Sequence, residues 1–122
     1  MKLVVVAALV LGLAGAAMAA PPQPVPKFPN FPKDWSHADV NVIVRRVPHT
    51  LTLDRGRIVQ VSTTQLTLRE KDGSLPTIPI TADTIVTILG RPATILDLRR
   101  KEMVETLRVD GGPAVRVRVT AR

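Results

Sequence analysis

Cysteine is absent from this chain, and with it go disulfide staples, thiolate metal sites and a lipobox anchor. Tyrosine is absent as well, and the aromatic content is two phenylalanines and one tryptophan, so a core must be almost wholly aliphatic. No serine stands in a nucleophile-elbow pattern; Ser36, Ser62 and Ser74 lie among turn-forming residues. The acids are scattered singly, mostly where Asp favours turns, which leaves no carboxylate pair of the glycosidase kind. The chain is therefore expected to be a non-enzyme, with no catalytic residue and no cofactor. His37 and His49, with Asp39 between them, come nearest to a metal-ligand set, because imidazole and carboxylate suit zinc or copper. Their spacing matches no ligand pattern, so they are read as structural and no metal is expected.

What is present begins with a leader. Met1 and Lys2 precede the apolar run LVVVAALVLGLAGAAMAA, which has the charged, apolar and small-residue regions of a secretory signal. Ala17 and Ala19 supply an A-x-A site that puts the cut before Ala20. Residues 1–19 are thus expected to be removed, and the mature protein to work in the periplasm or outside the cell. A small exported domain without disulfides depends on its hydrophobic core. The formal net charge of +7 is carried largely by arginine and favours anionic partners such as an envelope polymer.

Six of the eleven prolines fall between Pro21 and Pro32, in PPQPVPKFPNFP. Such a stretch forms neither helix nor sheet interior and reads as an extended arm over residues 20–38. Phe28 and Phe31 share the three-residue step of Pro26, Pro29 and Pro32, and Trp35 follows. An arm that carries every aromatic is either a docking peptide for a partner or a strap over its own domain.

From Asp39 to the end, residues 39–122, the pattern is that of strands. Val40, Val42 and Val44 share one face; Leu51 and Leu53 follow; a turn is expected at Asp54–Gly56 before GRIVQV. Leu66 and Leu68 lead into Asp72-Gly73, a dipeptide that two-residue hairpins favour at positive φ. Ile78 and Ile80 alternate with Pro76 and Pro79, and prolines at such positions are tolerated on an edge strand. TADTIVTILG is a further strand. RPATILDLRRKEMVE is the one helical candidate, with Ile95, Leu98 and Val104 as its stripe. The last hairpin turns around Asp110 to Pro113, with Leu107, Val109, Val115, Val117 and Val119 expected inward. Arg108, Arg116 and Arg118 are expected together on the outward side, where they form a candidate anion-binding face. OB-like barrels that bind nucleic acid also use aromatic platforms, and the absence of any aromatic after Trp35 weighs against nucleic acid as the ligand.

The order Gly56-Arg57-Ile58, Leu66-Thr67-Leu68, Asp72-Gly73, Thr81-Ala82-Asp83-Thr84, Asp97-Leu98 and a terminal hairpin from Val104 to Thr120 resembles a family of small exported bacterial β-barrels of uncharacterised function. The resemblance covers residues 56–120 and implies an all-β fold: a small, partly open, OB-like antiparallel barrel of five to seven strands with at most one short helix. It also implies export and says little about the ligand; with no catalytic motif in the chain, the expectation is a non-enzymatic binding or structural module acting on an envelope protein or polymer, with an OB-like anion or nucleic-acid binder as the alternative. Such domains carry a glycine after the Asp-Leu turn, where the next strand starts at a sharp bend. This chain has RRKEM there, and a helical turn over Arg99 to Met103 is expected in its place.

Overall fold

The structure, a computed structural model, describes residues 2–4, 25–32 and 34–122. The expected cleavage site at Ala17 to Ala20 lies outside the described residues. The fold is all-β: β1 (Lys2–Val4), β2 (His37–Val44), β3 (Val47–Val61), β4 (Gln65–Glu70), β5 (Thr77–Pro79), β6 (Ile85–Ile88), β7 (Arg91–Ala93), β8 (Met103–Val109) and β9 (Ala114–Ala121). They form one nine-stranded sheet, ordered β1-β2-β3-β8-β9-β6-β7, with β4 and β5 branching from β3. Three of these strands have only three residues each, which is why the count exceeds the expected five to seven. Pairing is antiparallel except for β1 with β2 and β6 with β9. The sheet is open, with β1, β5 and β7 at its free ends. Among the described residues no helix is long and apolar enough to cross a membrane.

The branch arises in β3. Its first part pairs with β2 through Asp54, and from Gly56 onward the same edge pairs with β4, while β8 holds the other edge from Leu51 to Arg57. The turn expected at Asp54–Gly56 is not there, because backbone pairing on both edges keeps β3 continuous. The hairpin that does reverse the chain lies between β2 and β3, at Arg45 (φ 50) and Arg46 (φ 64), a positive-φ pair without glycine. At Asp72-Gly73 only Gly73 (φ 90) is left-handed, and Asp72 Oδ1 accepts from the Ser74 amide at 2.9 Å. That geometry is a three-residue hairpin loop rather than the expected two-residue turn. Pro79 lies in β5, which pairs with β4 alone and so is an edge strand as its prolines require.

Ile95–Asp97 is a single 3₁₀ turn, closed by Asp97 Oδ2 accepting from the Thr94 amide at 2.8 Å. The longer helical turn expected at Arg99 to Met103 is absent. Lys101 takes a φ of 74 and makes the sharp entry to β8 that a glycine would make. Ile95, Leu98 and Val104 still meet in one cluster, delivered by separate elements rather than by one helix face.

Two apolar clusters occupy opposite faces of the sheet. The larger gathers Ile58, Leu66, Leu68, Ile78, Ile80, Val86, Ile88, Leu98, Val104, Val117 and Val119, so the sheet curls around it without closing. The smaller gathers Ala38, Val40, Leu51, Leu53 and Leu107, with Phe28, Phe31, Trp35, Val42, Val109 and Val115 packed against it. Leu107, Val109 and Val115 therefore lie on the opposite side from Val117 and Val119, not with them. A register shift between Leu107 and Arg108 against β9 produces the change of face.

Candidate functional site

Two features with chemical potential lie back to back on β3. Alternation sends Asp54 and Gly56 to the inner face with Ile58, and Arg55 and Arg57 to the outer one.

On the inner face, ladder register sets His37 of β2 and Thr106 of β8 directly opposite Asp54. Glu70 arrives from β4, where its partner is Gly56. A Cβ on Gly56 would sit 2.5 Å from the Arg69 carbonyl oxygen, so β4 approaches more closely than any side chain permits. This close approach brings Glu70 to Asp54. His37 Nδ1 lies 2.7 Å from Asp54 Oδ1, and its Nε2 lies 3.4 Å from Asp39 Oδ2. One donor atom each from His37, Asp54 and Glu70 fall within 4.8 Å of one another. Asp54 is 4% exposed and Glu70 6%.

Burial pushes the Glu70 carboxyl up to about 8; the hydrogen bond to Asp54 and the charge of Asp54 add to the rise, His37 opposes it, and Asp72 adds a little. Glu70 thus keeps its proton at neutral pH, chiefly because burial disfavours its charged form. Burial acts to lower the His37 pKa, but hydrogen bonding to Asp54, then the charges of Asp54 and Asp39, outweigh it and raise the value.

Sequence reasoning grouped His37 with His49 and left Asp54 and Glu70 among scattered acids. The structure sends His49 to Asp110 at the β8–β9 turn instead. A signal for the true cluster was present in the alternation: Glu70 continues the apolar parity of Leu66 and Leu68, and Asp54 shares that of Ile58. A carboxylate at a core position asks for a partner.

On the outer face a groove of about 610 Å³ is lined by Trp35, Arg55, Arg57, Arg69, Lys71, Arg100, Lys101 and Met103, among others. Arg57 and Arg69 are direct cross-strand partners, so like charges face each other across the ladder. Arg57 Nη1 donates to the Lys101 carbonyl at 2.9 Å, which fixes its position, and Lys71 pairs with Asp34. None of these cations was singled out from the sequence, because they come from β3, β4 and the loop before β8.

The arginines that were singled out do not lie on one face. Arg116 and Arg118 stand opposite Leu107 and Glu105 on the outer side, whereas Arg108 stands opposite Thr52 on the inner one. Arg116 Nε donates to the Pro26 carbonyl at 2.8 Å. Arg118 bonds Glu105 at 2.8 Å and stacks over the Phe28 ring at 4.1 Å. Arg108 donates to the carbonyls of Gly111 and Gly112. Phe28, Phe31 and Trp35 lie half-buried against the smaller cluster, with the Phe31 and Trp35 rings 4.9 Å apart.

No protein-family profile, curated protein or solved structure matches the chain.

Proposed function

We propose that this chain is an exported, non-enzymatic binding module, an OB-like open barrel that holds an anionic envelope polymer in the groove beside Trp35. The observation that carries the reading is the opposed pair Arg57 and Arg69, flanked in one concavity by Arg55, Lys71, Arg100 and Lys101. Like charges directly opposite each other on a ladder weaken it, and an anionic ligand relieves that repulsion. Trp35 adds an apolar wall on which a sugar ring or a base can lie. The apolar leader fits a periplasmic or extracellular site of action, where such polymers are found.

The test compares retention on heparin and on polyphosphate for wild type and for two double charge reversals. Arg57→Glu with Arg69→Glu should abolish salt-sensitive retention. Arg45→Glu with Arg46→Glu changes net charge equally at an exposed turn and should largely preserve it. Equal loss in both would mean that only net charge matters and would remove the groove as the site. Preference for single-stranded nucleic acid over both polymers, with a steep salt slope, would replace the polymer by nucleic acid.

A further inference from the structure

We propose that His37, Asp54 and Glu70 form a binding site for a divalent transition ion of the zinc class, with Asp39 orienting the imidazole from behind. The proposal does not rest on the reading of the basic groove, although Glu70 also lines that groove. Among the described residues, the buried side-chain oxygens without a hydrogen-bond partner are Glu70 Oε2 and Thr106 Oγ1. Both flank Asp54: Thr106 lies across the ladder on β8, and Glu70 across Gly56 on β4. Native structures rarely leave a buried carboxylate oxygen unpartnered, so something absent from the chain itself belongs between these groups. A dication held by Asp54 and Glu70 gives Glu70 Oε2 a partner and draws the two carboxylates and the imidazole together.

The donor set narrows the ion. One imidazole nitrogen and two carboxylate oxygens, without thiolate, suit zinc and its first-row neighbours better than magnesium or calcium, which prefer oxygen alone. Tetrahedral zinc sets its donors about 3.4 Å apart. The donor atoms now lie within 4.8 Å of one another, so binding has to draw them together by about 1 Å or more. His37 has the outer arrangement that such sites need. Nδ1 points to Asp54, and Nε2 is 3.4 Å from Asp39, the carboxylate–histidine–metal order that fixes the ring and its tautomer. The ion would link β2, β3 and β4 at the point where β3 changes partner. It would supply the cross-link that a cysteine-free domain of this size lacks.

The experiment is a thermal-melt titration of the full chain, freed of metal by chelator, with Zn2+ alone as the probe. Wild type should rise by more than about 5 °C at saturation, because an ion that binds only the folded state stabilises it by mass action. Co2+ in place of zinc should give the visible absorption of a nitrogen–oxygen site at one ion per chain. Glu70→Gln and His37→Gln should remove both signals, and His49→Gln should leave them intact. Should either site variant fail to fold, the imidazole nitrogen shifts of wild type on adding Zn2+ decide the matter: movement at His37 and not at His49 is expected. No rise in melting temperature, a rise that survives Glu70→Gln, or ring shifts confined to His49 would each overturn the proposal.

Discussion

Glu70 shows how a single position couples sequence pattern, packing and titration. Its carboxyl feels Asp54 on β3, His37 on β2 and, more weakly, Asp72 in the adjoining turn. Because the folded chain holds its proton up to about pH 8 while an unfolded carboxyl releases it near 4.5, the folded state binds more protons throughout that interval. Stability must therefore fall as pH rises between those limits. His37, raised above 6.5 in the folded chain, acts with the same sign over the upper part of the window. The exposed aspartates act the other way and only at acid pH: Asp34, held down by Lys71, Asp72 by the Ser74 backbone, Asp97 by the Thr94 backbone and Asp110 by His49. Their contribution is lost as pH falls through their depressed values. In chelator-treated protein the urea midpoint should peak near pH 5 and decline toward pH 8, and Glu70→Gln should flatten the decline. A wild-type midpoint constant from pH 5 to 8 would show that Glu70 does not keep its proton in the folded chain.

At the scale of elements, the strands that alternation made legible were those whose partners are near in sequence. β4 and the proline-marked edge strand β5 follow from local pattern, and so does the position of the β8–β9 hairpin, though not the faces its residues take. The long β3 was not legible: Asp54 and Gly56 carry turn propensity, and what overrides it is pairing with β2 and then β4 on one edge and with the distant β8 on the other. The parallel β6–β9 pair is non-local in the same way, and so is the cluster of His37, Asp54 and Glu70: alternation marks Asp54 and Glu70 as core positions, but no spacing joins them to each other or to His37. The face of Arg108 was lost to a one-residue register shift, which exchanges every outward side chain for an inward one. The β2–β3 hairpin offers a direct measure of such conflicts between local and global preference. Arg45 and Arg46 occupy left-handed conformations, which cost an L-residue roughly 1–2 kcal/mol each. Asn-Gly is the dipeptide this turn favours. Arg45→Asn with Arg46→Gly should therefore raise stability by about 1–2 kcal/mol in urea unfolding, with an unchanged denaturant slope. An unchanged midpoint would mean that the turn relaxes to accept arginine without strain.

At the scale of the whole molecule, the two faces of the sheet are covered by different means. The larger cluster is enclosed by the curl of the sheet itself, whereas the smaller one, around Leu53 and Leu107, is covered by residues 25–32 and Trp35. Arg116 and Arg118 fasten this cover: one bonds the Pro26 carbonyl, and the other stacks on Phe28 while paired with Glu105. Proline before and within the segment limits the entropy lost when it lies down, so a few contacts suffice to hold it. A fully buried Phe or Trp side chain contributes roughly 1.5–3 kcal/mol, and three half-buried ones together contribute about as much as one or two such residues. Deleting residues 20–35 should then cost about 3 kcal/mol or more in chemical denaturation, because it also exposes Leu53 and Leu107 to water. Trp35 should emit at short wavelength and resist quenching by iodide in the intact protein. Phe28→Ala and Phe31→Ala should each loosen the cover and shift that emission to the red. Stability unchanged by the deletion, together with a fully quenchable Trp35, would show that the arm lies free in solution; its aromatics would then be available to a partner, and the smaller cluster would need another cover.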